Sequence, residues 1–61
     1  MPSVCVPLAV GFEELEAITI IDVLRRAEVD VTTLAVASDS LLVRGSHEIE
    51  VRADQLLTAG L

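Results

Sequence analysis

Residues 4–36, VCVPLAVGFEELEAITIIDVLRRAEVDVTTLAV, decide the fold. Val4–Val10 is apolar throughout and carries β-branched Val4, Val6 and Val10, the composition of a parallel strand buried on both faces. Pro7 has no backbone donor, so it fits that strand only at a bulge or beside an unbonded edge. Gly11 punctuates the run. From about Glu13 to Ala27 the apolar residues Leu15, Ile18, Ile21 and Leu24 recur at threes, and Ala17, Ile20 and Val23 widen the stripe, which predicts a helix. Thr19, Asp22, Arg25 and Arg26 leave it only a narrow polar face, so one side should meet a sheet and the other a second helix. Glu13, Glu14 and Glu16 at its start and Arg25 and Arg26 at its end complement the macrodipole.

Val29–Val36 then alternates and β-branches as a second strand. Strand, helix and strand make a βαβ unit, whose crossover should be right-handed and whose strands should be parallel. Beyond the Ser38-Asp39-Ser40 turn, Leu41–Arg44 and Glu48–Arg52 read as a short antiparallel hairpin around Gly45-Ser46. Ile49 and Val51 alternate with Glu48, Glu50 and Arg52, so one hairpin face is wet. Ala53-Asp54 begins a turn, and Leu56-Leu57 is expected to dock on the body. Repeats, low-complexity tracts and linkers are absent.

Sixty-one residues form at most one domain and bury only ~60% of the surface of their unfolded chain. With 52% apolar residues there is nevertheless material for a core. Ten acids against four arginines give a net charge of −6, which repels a phosphate backbone, and Phe12 is the only aromatic available to stack on a base. Nucleic-acid partners are therefore excluded. No stretch approaches the ~20 apolar residues of a membrane span, and the Met1-Pro2-Ser3 start lacks the basic region of a signal peptide, so a cytoplasmic protein without a membrane partner is expected.

The loop after the first strand is where open α/β sheets bind ligands. Here it offers one glycine and three carboxylates, which would repel a pyrophosphate, so a dinucleotide site fails on charge. A phosphorelay-receiver reading is set aside because the acids lie beyond Gly11, in a helical turn. Cys5 lies within a strand, has no Cys or His at metal-ligand spacing, and reads as a buried structural thiol. His47 reads as an exposed turn residue rather than a ligand or base, because no partner acid or cysteine lies near it in sequence. No metal site and no cofactor are expected.

Residues 7–17, PLAVGFEELEA, followed by 21–27, IDVLRRA, resemble the opening of ThiJ/PfpI proteins. Val31-Thr32-Thr33, Ala37-Ser38-Asp39, Gly45-Ser46-His47 and Ala53-Asp54 continue that resemblance, in the branch of the bacterial chaperone/deglycase and its plant relatives. It covers nearly the whole chain and implies an α/β fold: residues 1–61 would be the N-terminal part of a ThiJ/PfpI domain, a βαβ unit plus a short β-hairpin of a flavodoxin-like parallel-sheet sandwich, incomplete on its own.

The resemblance further implies a cysteine-dependent protein deglycase, glyoxalase or oxidative-stress chaperone acting on glyoxal-type aldehydes or glycated groups without a cofactor. Its nucleophile is a cysteine on a strand-to-helix elbow, and a glutamate of the first helix, here Glu16, hydrogen-bonds the sulfur. A protonated carboxyl beside a thiolate donates to it and lowers its pKa, which also exposes it to peroxide. The elbow cysteine, the glycine-rich segment supplying oxyanion-binding amides and the downstream histidine are absent from these residues, so this chain alone should be inactive. Glu13 and Glu14 remain dipole or solvent-facing charges. Relatives pair subunits through the first helix, which makes Asp22, Arg25 and Arg26 candidates for a dimer interface and the rest of the domain or a second ThiJ/PfpI chain the expected partner. The competing reading is a short, non-catalytic interaction module that pairs with a full-length relative. Glu28 and Glu48 stand where relatives commonly have glycine; a left-handed backbone there would cost ~1 kcal/mol or more.

Overall fold

The computed structural model describes residues 2–57. The expected βαβ unit forms from β1 (Ser3–Leu8), α1 (Glu14–Arg26) and β2 (Asp30–Ala35), with β1 and β2 parallel in the register Ser3↔Asp30 to Leu8↔Ala35. The expected hairpin forms from β3 (Leu42–Arg44) and β4 (Glu50–Arg52), antiparallel with Val43 opposite Val51. One strand went unforeseen. Beyond Asp54, β5 (Gln55–Leu56) adds to the free edge of β2 as a parallel partner, giving the order β1-β2-β5. Leu56 thus docks as expected, as part of a strand two residues long, too short to show an alternation of its own.

β1 ends at Leu8, two residues short of the expected Val10, because Ala9 and Val10 turn the chain toward Gly11, which takes φ 91°. Pro7 is accommodated by edge geometry. Leu8 and Pro2 carbonyls accept from Val36 and Asp30 N–H, so the even-numbered residues of β1 face β2 and Pro7 faces the open edge, where its missing donor costs nothing.

The core lies where Leu8, Ala35, Val43 and Ala53 meet, flanked by Val6, Phe12, Ala17, Val51 and Leu56. Leu8 and Val43 are fully buried, and each contributes about 1.5–3 kcal/mol by leaving water. Ala17 brings α1 onto the face of the sheet that carries Val6 and Leu8. Burial of β1 on both faces is not observed. Cys5 and Pro7 alternate onto the other face and are exposed, so Cys5 is a surface thiol, contrary to the buried reading. The second face of α1 is also uncovered: Leu15 is 84% exposed, and Ile18, Ile20 and Val23 are exposed.

α1 stops by folding its last turn onto itself. Glu28 N–H reaches the Arg25 carbonyl at 3.0 Å and Val29 N–H the Leu24 carbonyl at 3.0 Å, a closure that places the intervening residue in left-handed backbone. That residue is Glu28, at φ 64°, and Glu48 also has φ 64°, so both of the expected glycine-like positions are left-handed. Ala37 shares the conformation at φ 53°, which no sequence feature indicated.

Candidate functional site

Two loops meet at the C-terminal end of β1: residues 9–13, leading into α1, and residues 45–49, joining β3 to β4. Backbone bonds knit them, Gly11 N–H to the Arg44 carbonyl at 2.9 Å and Ser46 N–H to the Phe12 carbonyl at 2.8 Å. Gly45 lies against the side chain of Glu14, and a Cβ added there would overlap Glu14 Cγ, Cδ and Oε2.

Glu14 is the residue this junction is built around. Although carboxylates are rarely fully buried, it is 5% exposed, which corrects its reading as a solvent-facing dipole charge. Its Oε2 accepts the backbone N–H of His47 at 2.7 Å and of Ile49 at 3.3 Å, while Oε1 lies 3.0 Å from His47 Nδ1 and accepts from Ser46 Oγ at 3.4 Å. Burial on its own would raise the Glu14 pKa. The His47 side-chain hydrogen bond, with backbone donors from Glu14 itself, His47 and Ile49, outweighs it and lowers the value to about 2. The hydrogen bond to Glu14 and the charges of Glu14 and Glu13 raise the His47 pKa against a smaller opposing effect of desolvation.

His47 is an exposed turn residue, as expected, yet it has acidic partners. Helix α1 brings Glu14 and Glu13 to it from more than thirty positions away, a juxtaposition that proximity in sequence could not reveal. Glu13 is the N-cap of α1 but caps nothing with its side chain; instead its Oε1 accepts the Ser46 hydroxyl at 2.7 Å.

Glu16 lies one turn in, exposed, and lines a shallow depression with Glu13, Leu15, Thr19 and Ile20. Among the described residues it has no hydrogen-bond or ion-pair partner, in contrast to Glu13 and Glu14. Cys5 is on β1, within the strand and not at a turn.

At the other end of α1, Asp54 Oδ2 accepts Thr33 N–H at 2.9 Å and the Arg25 guanidinium at 3.0 Å, and Arg25 also reaches the Val31 carbonyl at 3.0 Å. The Thr33 backbone donor, acting against partial desolvation and helped by the Thr33 side chain and Arg25, lowers the Asp54 pKa. Arg25 is thus engaged inside the chain, joining α1 to the end of the sheet. Asp22 and Arg26 form an exposed pair at 3.1 Å one helical turn apart, worth about 0.3–0.5 kcal/mol. Among the described residues no helix is long and apolar enough to cross a membrane.

The DJ-1/PfpI family model matches residues 2–59. Protein DJ-1 homolog B of Arabidopsis thaliana is 46% identical over 56 residues, which are 92% of this chain and 13% of that protein. Its homolog A is 45% identical over 56 residues, 92% of this chain and 14% of the relative. A mutant of a DJ-1 superfamily protein from Salmonella typhimurium superposes with a TM-score of 0.86 at 50% identity, over 92% of this chain and 30% of that one. Oxidized DJ-1 of Toxoplasma gondii gives a TM-score of 0.87 at 43% identity, again over 92% and 30%. The chain therefore spans about 13–14% of the curated relatives it matches and about 30% of these solved chains. On a family model that takes in nearly all of its length, and on the shared α/β fold, the chain belongs to the DJ-1/PfpI family.

Proposed function

We propose that these residues form the N-terminal part of a cysteine-dependent enzyme of the glyoxalase or deglycase type, in which Glu16 supports the thiolate of a nucleophilic cysteine supplied by the rest of the domain. The observation that carries this reading is the division of labour among the three carboxylates. Glu14 is consumed in fixing the start of α1, Glu13 is taken by Ser46, and Glu16, exposed and without a partner among the described residues, lies in the first turn of the helix that follows β1, on the side of an α/β sheet where ligands bind. A carboxyl free to hold a proton there can donate to a sulfur and favour its thiolate, which then attacks an aldehyde carbon. The uncovered apolar residues of α1 are consistent with a partner being the remainder of the domain or a second subunit.

The test restores the C-terminal part by fusion to that of a solved relative and follows iodoacetamide alkylation of the nucleophile against pH. Glu16→Gln keeps a weaker donor and Glu16→Leu removes it. The thiol pKa should rise in both and more in the second, each unit representing about 1.4 kcal/mol of lost thiolate stabilisation. Glu13→Gln removes the same charge without reaching the sulfur. Equal shifts in all three variants would reduce Glu16 to a helix-dipole charge; a fusion that folds but shows no activity would favour the interaction-module reading.

A further inference from the structure

The ligating atoms of Glu13, Glu14 and His47 lie within 4.8 Å of one another. His47 Nδ1 is 3.0 Å from Glu14 Oε1 and 3.5 Å from Glu13 Oε1. Ser46 Oγ stands 2.7 Å from Glu13 Oε1, 3.4 Å from Glu14 Oε1 and 3.0 Å from His47 Nδ1. These five separations run from 2.7 to 3.5 Å. A tetrahedral ion with bonds of about 2.0–2.1 Å separates its ligands by about 3.3 Å, inside the range seen here.

We propose that Glu13, Glu14 and His47 form a binding site for a divalent transition cation of the zinc type, with the Ser46 hydroxyl at the fourth corner. Three features of the site favour a cation. The orientation of Glu14 is fixed before any ion arrives, because Oε2 is held by two backbone N–H groups and Oε1 is left facing the imidazole. Two carboxylates match the charge of the ion, and the imidazole nitrogen selects against calcium and magnesium, which take oxygen ligands. Entry is open, since the side chains of His47 and Glu13 are 72% and 62% exposed while that of Glu14 is 7% exposed. The ion takes the place of the hydrogen shared between Nδ1 and Oε1, and His47 then carries its remaining proton on Nε2.

Cobalt(II) titrated into the 61-residue chain, followed by its visible absorption and then displaced with zinc, tests the site. One equivalent should bind with the strong visible absorption of four-coordinate cobalt. Glu13→Gln and His47→Gln should each weaken binding by about tenfold or more, since losing a ligand costs at least as much as losing an outer-shell partner of one. Glu48→Gln, which alters a neighbouring exposed carboxylate, and Cys5→Ser, which removes the only thiol, should leave the affinity unchanged. His47 is the only histidine, so its imidazole resonances should be displaced by the paramagnetic ion in the unaltered chain, a readout that requires no variant to fold. Failure to saturate at one equivalent, an undisturbed His47 signal, or equal affinity across the four variants overturns the site.

Discussion

Glu14 Oε2 accepts the backbone N–H of His47 at 2.7 Å, fastening the first turn of α1 to the loop between β3 and β4. A carboxylate accepting several donors in a nearly buried place is costly to replace, because its removal strands the donors as well. Glu14→Ala should therefore release the loop, and amide hydrogen exchange at His47 and Ile49 should accelerate roughly tenfold or more, as expected for losing a charge-assisted hydrogen bond. Glu16→Ala should leave both amides unchanged. Gly45→Ala probes the same contact from the other side. Its new methyl would overlap a side chain that cannot swing away without breaking the latch, so it should destabilise by about 1–3 kcal/mol in urea unfolding of the restored domain.

Much of this architecture can be read from local pattern, and the exceptions share a cause. The stripe of Leu15, Ile18, Ile21 and Leu24 placed α1, and the β-branched runs placed β1 and β2 to within two residues. What failed was whatever depended on contacts between distant segments. Glu14 shares one short acidic stretch with Glu13 and Glu16, and the arrival of Gly45, Ser46 and His47 distinguishes it. Strand β5 is created by the edge of β2, and Cys5 is exposed because its face of the sheet has no cover supplied by α1. The place of Glu16 came from family resemblance; its spacing alone would have made it a dipole charge.

Acid sensitivity should pass in part through Asp54. Its pKa is lowered in the fold by the Thr33 backbone donor, with Arg25 contributing. A depressed carboxylate stabilises the fold above its unfolded pKa, near 3.8, and this contribution disappears as pH falls through the lower folded value. Urea midpoints of the restored domain measured from pH 7 down to about pH 2 should therefore fall on the acid side. Asp54→Asn should flatten that limb and lower the plateau at neutral pH. An acid limb of unchanged steepness would assign the sensitivity to other carboxylates.

The uncovered surface makes a statement about the isolated polypeptide. Leu15, Ile18, Ile20 and Val23 present an apolar strip on α1, and β1 leaves one edge of the sheet unpaired among the described residues. Exposed strips and free edges of this kind drive association. The 61-residue chain should accordingly scatter light as an assembly, and Ile20→Lys with Val23→Glu should shift it toward smaller species. A monodisperse parent chain with a cooperative thermal transition would contradict this. Neither form should convert methylglyoxal faster than the Cys5→Ser variant, because Cys5 sits within a strand without an elbow or a paired base.

Glu28 and Glu48 should be the places where a single substitution strengthens the protein. Both hold φ 64°, a conformation that brings Cβ against the following carbonyl and costs a non-glycine residue about 1–2 kcal/mol. Glycine removes that clash but widens the choices of the unfolded chain, which returns about 0.4–1 kcal/mol. The difference leaves a net gain of about 0.5–1 kcal/mol for Glu28→Gly, whose side chain forms no ion pair among the described residues. Glu48 pairs with Arg44 at 3.8 Å, but both side chains are mostly exposed, so losing that pair subtracts little. Denaturant midpoints of the two glycine variants in the restored domain should both rise, Glu28→Gly at least as much as Glu48→Gly, while Glu28→Ala should give no such gain because alanine keeps the Cβ. If alanine raised the midpoint as far as glycine, the benefit would come from removing a charge from this acidic chain, and the left-handed backbone would not be its source.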